Sequence, residues 1–172
     1  MNPSLAPEQH KDLEILVWWD MFDCPLPAEC NPCRIKDNTE SSLRRLNYSG
    51  PISISAYGEL DNMGEEALHS LQSSGVKMIH IPSGRGKGFA KHMILIPDML
   101  IWGLRSRKRA NHLLISGDEV FAYAMHQLKV RNFNTLLAHP HPQPLQADDS
   151  SLVYAANTVW LFTSLLDGEA PL

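Results

Sequence analysis

The first thing this sequence lacks is an excess of positive charge. Its 172 residues hold 15 Lys and Arg against 19 Asp and Glu, a formal net charge of −4. Proteins that hold nucleic acid by bulk charge are strongly basic, so that class is excluded, and any nucleic-acid contact must rest on locally placed cations. A long apolar run is also missing. None reaches the ~18–20 residues of a membrane span, so no membrane contact is expected. The first twelve residues are polar, with no apolar signal core. Cysteine is scarce: Cys24, Cys30 and Cys33 make an odd count. These features set the expectation of a reduced, intracellular compartment, with the organelle left open. Internal repeats and low-complexity linkers are absent. With 44 % hydrophobic and 20 % charged residues, a disordered or collagen-like chain is excluded, and there is enough apolar content for one core.

What is present is an alternation of strands and helices. Residues 1–12 read as a flexible N-terminal tail, 13–168 as one domain and 169–172 as a C-terminal tail. Strands are expected at 14–19, ending at Asp20, then at 52–57, 76–81, 112–116 and 135–138, from short apolar or β-branched runs. Helices are expected at 34–46, 63–72, 89–104, 120–130 and 151–166, with Pro97 predicting a kink or a broken turn in the third. This order implies a three-layer, Rossmann-like α/β/α fold with a mainly parallel five-stranded sheet. Such a chain reverses its winding once. Ligands bind at that switch point, beyond the C-terminal ends of the strands.

Asp20 ends the first strand, with Asp23 close behind. Asp118 and Glu119 follow the fourth strand. If these two strands flank the switch point, the acids converge at one rim, where only a cation or shared protons would relieve their repulsion. A hard divalent ion suits oxygen ligands there. Taken singly, Asp118 also reads as a helix N-cap and Asp20 as a turn residue. The third helix starts at the same rim with His92 near its first turns. Asp98, in an otherwise apolar stretch, is either a functional acid or a buried acid bonded to a neighbour. Arg34, Lys36, Arg85, Lys87 and Lys91 fall on the same side and suit phosphates. The run Arg105, Arg107, Lys108 and Arg109 ends the third helix at the far rim, where it complements the helix dipole.

Several motifs fail on inspection. Residues 83–88 (SGRGKG) follow the third strand and have neither the GxxxxGK[ST] nor the GxGxxG spacing, so no nucleotide loop is expected. Cys30 and Cys33 have CxxC spacing but no second pair for zinc and no redox-type strand before them. The polar, Gly-rich rim argues against the deep apolar pocket of a small-molecule hydrolase.

Residues 17–20 (VWWD), 24–27 (CPLP) and 50–58 (GPISISAYG) resemble the opening of plant NYN domains. Residues 114–118 (LISGD), Phe121 and 126–128 (HQL) are similar to the fourth strand and helix of that family, and 136–140 (LLAHP) and 155–160 (AANTVW) also fit. The resemblance spans roughly residues 14–168 and includes the domain type of the meiosis regulator and mRNA stability factor proteins. It implies a PIN-like fold and Mg²⁺- or Mn²⁺-dependent endonucleolytic cleavage of RNA, usually single-stranded. By resemblance, Asp20, Asp98 and Asp118 are the catalytic and metal-binding acids, and Arg85 and Lys87 hold phosphates. Asp23, Glu119, His92 and Ser116 are supporting candidates. The chain departs from the family pattern in three places. Asp23 stands where Asn is usual, His92 stands where a second acid of the third helix is usual, and Val120 stands where an Asp is usual. Losing carboxylates weakens a hard-cation site. A catalytically degenerate NYN domain that binds RNA or a protein partner is therefore the alternative, and a homodimer is open.

Overall fold

The computed structural model of the protein describes residues 5–82, 84, 87–141 and 150–172. The alternation is realised as β1 (Ile15–Asp20), α1 (Ile35–Arg44), β2 (Ile52–Gly58), α2 (Glu65–Ser73), β3 (Lys77–His80), α3 (Lys87–Arg105), β4 (Asn111–Ile115), α4 (Ala122–Val130), β5 (Asn134–His139), α5 (Ser151–Tyr154), β6 (Thr158–Leu161) and α6 (Phe162–Leu166). The sheet order is β3-β2-β1-β4-β5-β6 and every neighbouring pair is parallel. The chain winds outward from β1 to β3, then returns to the other side of β1 with β4. The switch point lies between β1 and β4, the two strands that carry the acidic ends.

Several expectations need correction. The sheet has six strands, not five. Residues 151–166 are not one helix but a turn of helix, an edge strand and a second short helix. Thr158 and Val159 are β-branched, and β5 offers a free edge, so β6 pairs there from Leu136↔Thr158 to His139↔Leu161. The α3 helix is continuous through Pro97, so the turn there is not broken. The segment read as an N-terminal tail packs on the domain from Ala6 onward. Ala6 N–H bonds to the Leu46 carbonyl, Ser49 N–H to that of Lys11, and the buried Asn111 side chain to that of His10. The last residues also attach, through Glu169 N–H to Ser164 and Leu172 N–H to Val159. Among the described residues, no helix is long and apolar enough to cross a membrane.

Strand periodicity decides what faces what. On β1, Ile15, Val17 and Trp19 enter the core under α1 and α6, while Leu16 and Trp18 enter the core under α3 and α4. Both sets are buried, as expected of a parallel strand covered on both faces. Asp20 is two residues beyond Trp18, so its side chain leaves on the α3 face. The same parity on β4 puts Leu114 in the α3 core, with Ser116 two residues on. On that face His112 is wholly buried, stacked on Trp18 and edge-to-face with Trp102 and Phe133.

Candidate functional site

Asp20 is fully buried, and both of its carboxylate oxygens are engaged. Oδ1 accepts the backbone N–H of Phe22 at 3.1 Å and of Asp23 at 3.3 Å, because the chain turns immediately after β1. Oδ2 accepts from Ser116 Oγ at 2.9 Å and from Lys91 Nζ at 2.8 Å. An isolated buried carboxylate is costly; here four donors, one of them charged, offset that cost.

Lys91 is the organising residue. It lies on the inward face of α3, four and eight residues before the buried Leu95 and Met99. Its ammonium lies 2.8 Å from Asp20 Oδ2 and 2.9 Å from Asp118 Oδ2, bridging the switch-point acids, with the Phe121 ring centroid 5.9 Å away. Asp118 is an N-cap, as one sequence reading had it: its Oδ1 accepts the Val120 N–H at 3.1 Å. Its Oδ2 also lies 2.6 Å from His92 Nε2, and the His92 ring stands edge-on to Phe121. Ser116 supports both acids, since its hydroxyl also accepts the Asp118 N–H at 3.1 Å.

Burial disfavours the Lys91 cation, but its bonds to Asp20 and Asp118 and their charges outweigh burial and raise its pKa. Burial also works against the Asp118 anion. The bonds from His92, Lys91 and the Val120 N–H, with the Lys91 charge, outweigh it and hold the carboxyl down at about 2. A carboxylate depressed in the folded state contributes stability above its ordinary pKa and loses it as pH falls through the folded value. Asp118 is therefore expected to make folding steeply acid-sensitive between pH ~4 and ~2. Asp118→Asn is expected to flatten that part of the curve in urea unfolding measured across the pH range.

The other acids lie elsewhere. Asp98 accepts the Tyr57 hydroxyl at 2.8 Å and lines a groove of about 560 Å³ with Trp18, Trp102, Lys77 and Arg105. Burial and Asp98 raise the pKa of that Tyr57 hydroxyl. Asp98 thus follows the reading of an acid bonded to a neighbour, although it is exposed. Asp23 accepts the Gly117 N–H at 2.5 Å and ties the β1 loop to the β4 loop. Glu119 turns away: it accepts from Ser150 Oγ and the Leu152 N–H and so secures α5. Among the described residues, no group of three or more His, Cys, Asp or Glu side chains is placed to hold a metal ion. The expected three-acid cluster is not assembled; two acids converge, and an ammonium occupies the place between them.

The expected phosphate contacts divide. Lys91 is committed to the acids and is not a rim cation. Lys36 reaches toward Gly75, which leads into the start of β3 rather than its end. Arg34 is exposed, with Asp37 3.9 Å away. Arg85 lies outside the described residues, as does the side-chain placement of Lys87. All three cysteines are free, and burial raises the Cys24 thiol pKa. Sequence reasoning missed the role of Lys91, although a signal was there. Positions 91, 95 and 99 share one helix face, so a lysine there points inward toward the acids.

Comparison with known proteins agrees with this arrangement of elements. A family model described as the NYN domain matches residues 14–159. No curated protein matches the chain. A crystal structure of a protein of unknown function from Vibrio parahaemolyticus is similar, with a TM-score of 0.57 and 17 % identity over 90 % of this chain and 94 % of that one. At that identity the likeness shows the fold alone.

Proposed function

This chain belongs to the NYN domain family, and from that membership we propose that it is an RNA-binding NYN domain whose acidic pair is held by an internal cation rather than by a catalytic metal. The observation that carries this reading is Lys91 Nζ, within 2.9 Å of both Asp20 and Asp118. A divalent ion would have to displace a buried ammonium and then bind with two carboxylates, since Asp98 is engaged with Tyr57. His92 and Val120, at positions where the family usually has acids, add no negative charge. In this reading the acidic pair fixes the start of α3 against the switch point. Single-stranded RNA is held by cations chosen from the sequence, Arg34, Arg85 and Lys87. The likeness to plant-type NYN domains, and an intracellular location, belong to the same proposal.

One observation favours a second reading, the Mg²⁺- or Mn²⁺-dependent endoribonuclease. Asp20 and Asp118 converge on a common point, as ligands of one cation must. The two readings part in a cleavage assay. Labelled single-stranded RNA is incubated with the protein, with Asp20→Asn and with Asp118→Asn, in Mg²⁺, Mn²⁺ or EDTA, and run on denaturing and native gels. The proposal predicts a retarded, intact RNA in all three buffers. Mn²⁺-dependent cutting that both variants lose would establish the nuclease instead. Absence of any retarded RNA would remove the RNA-binding role.

A further inference from the structure

The outward face of α3 carries an apolar stripe from Phe89 to Leu104. Phe89 is 69 % exposed, Met93 59 % and Leu104 69 %, with Ile96, Pro97 and Leu100 between them half-buried. Monomeric proteins scatter exposed apolar side chains singly; a contiguous stripe marks a contact surface. Beside its C-terminal half, α4 adds Tyr123, 71 % exposed, and the two helices enclose a cleft of about 210 Å³. The two helices pack closely beside it because residue 103 is glycine: a Cβ there would lie 2.8 Å from a Leu128 methyl.

The spacing of the stripe identifies the occupant. Positions 89, 93, 96, 97, 100 and 104 are separated by four, three, one, three and four residues. The pattern reads the same in both directions about its centre, between Ile96 and Pro97. A two-fold contact requires that residue i meets j while j meets i. Antiparallel packing of α3 on a second α3 satisfies this at every position, pairing Phe89 with Leu104, Met93 with Leu100 and Ile96 with Pro97. It also lays the projecting Phe89 and Met93 of each copy over the cleft beside Leu100 and Leu104 of the other. Each of the exposed side chains offers on the order of 100 Å², so the stripe with Tyr123 and its flanks approaches the roughly 800 Å² per partner of a standard interface. Lys91, Leu95 and Met99 face inward, so this contact leaves the acidic pair untouched.

We propose that the protein forms a two-fold homodimer through antiparallel α3 helices, independently of what the acidic rim does. Sedimentation equilibrium of the full chain is expected to give twice the chain mass. Phe89→Lys and Leu104→Glu are each expected to give monomers with unchanged far-ultraviolet circular dichroism, since both side chains are exposed. Mixing the two variants is expected to restore a dimer, because one Lys–Glu pair and one native Phe–Leu pair then face each other. A monomeric wild type at high micromolar concentration would overturn the proposal and leave the face to another partner. A dimer that both single variants retain, or a mixture that stays monomeric, would overturn the antiparallel pairing.

Discussion

Lys91→Ser is expected to be the most damaging single substitution at the rim. It leaves the wholly buried Asp20 carboxylate facing Asp118 with no cation between them. Removing one partner of a buried ion pair costs about 3–5 kcal/mol, more than the pair itself contributes, because the remaining charge is stranded. At roughly 2–4 °C per kcal/mol for a domain of this size, the melting temperature should fall by about 6–20 °C. Lys91→Arg keeps the charge on a bulkier group and should cost less. The informative arm adds divalent metal. In Lys91→Ser the two carboxylates are free to take Mn²⁺ or Mg²⁺, and a ligand bound only by the folded state raises its stability. The variant should regain part of its lost melting temperature in Mn²⁺, whereas the wild type should gain nothing. A variant as stable as the wild type without metal would mean that Lys91 does not hold the acids together.

The second large effect concerns acid and His112. Trp18 Nε1 donates to His112 Nδ1 at 3.1 Å, so the ring proton sits on Nε2, among Trp102 and Phe133. Protonating Nδ1 would point a second N–H at the indole N–H in a fully buried site. Burial accordingly lowers the His112 pKa to about 3. A histidine depressed in the folded state contributes stability above its ordinary value, and loses it as pH falls from about 6.5 to about 3. At about 1.4 kcal/mol per pH unit, His112 alone can remove roughly 4–5 kcal/mol across that range. Its imidazole resonances should stay those of the neutral ring down to the acid unfolding transition. His112→Phe should be destabilised at neutral pH by about 1–3 kcal/mol, because the Trp18 N–H loses its acceptor. It should also lose most of the slope between pH 6.5 and 4. A His112 resonance titrating near 6.5 in the folded protein would contradict this.

Much of the framework was legible because its signals are local. The strand runs at Ile15–Asp20, Ile52–Gly58 and Asn111–Ile115 are short and apolar or alternating, and a common rim for Asp20 and Asp118 followed on the condition, met in the fold, that the first and fourth strands flank the switch point. Elements that depend on distant partners were not legible. The β6 strand exists because the edge of β5 is free to pair; the β-branched Thr158 and Val159 favour a strand but are too short a signal to mark one without that edge. The N-terminal segment reads as a polar tail, yet Asn111 and Leu46 capture its backbone from afar. At the site, residue types suggested a metal cluster, but geometry divides them. Tyr57 takes Asp98, Ser150 and Leu152 take Glu119, and Lys91 takes the pair that remains. Side-chain pairing of this kind depends on which helix face meets which strand end. Helical periodicity at Lys91, Leu95 and Met99 contains half of that information; the register of α3 on the sheet supplies the rest.

The proposed reading turns on one point: that the place between Asp20 and Asp118 belongs to the Lys91 ammonium and takes up no divalent ion. Electron paramagnetic resonance of Mn²⁺ titrated into the wild-type protein tests it most directly, because bound Mn²⁺ loses the sharp signal of the free ion. The wild type is expected to leave the free signal undiminished through the micromolar range, while Lys91→Ser removes about one equivalent, as expected of a paired-carboxylate site for a hard cation. Stoichiometric Mn²⁺ uptake by the wild type at micromolar concentration, abolished by Asp20→Asn, would contradict it.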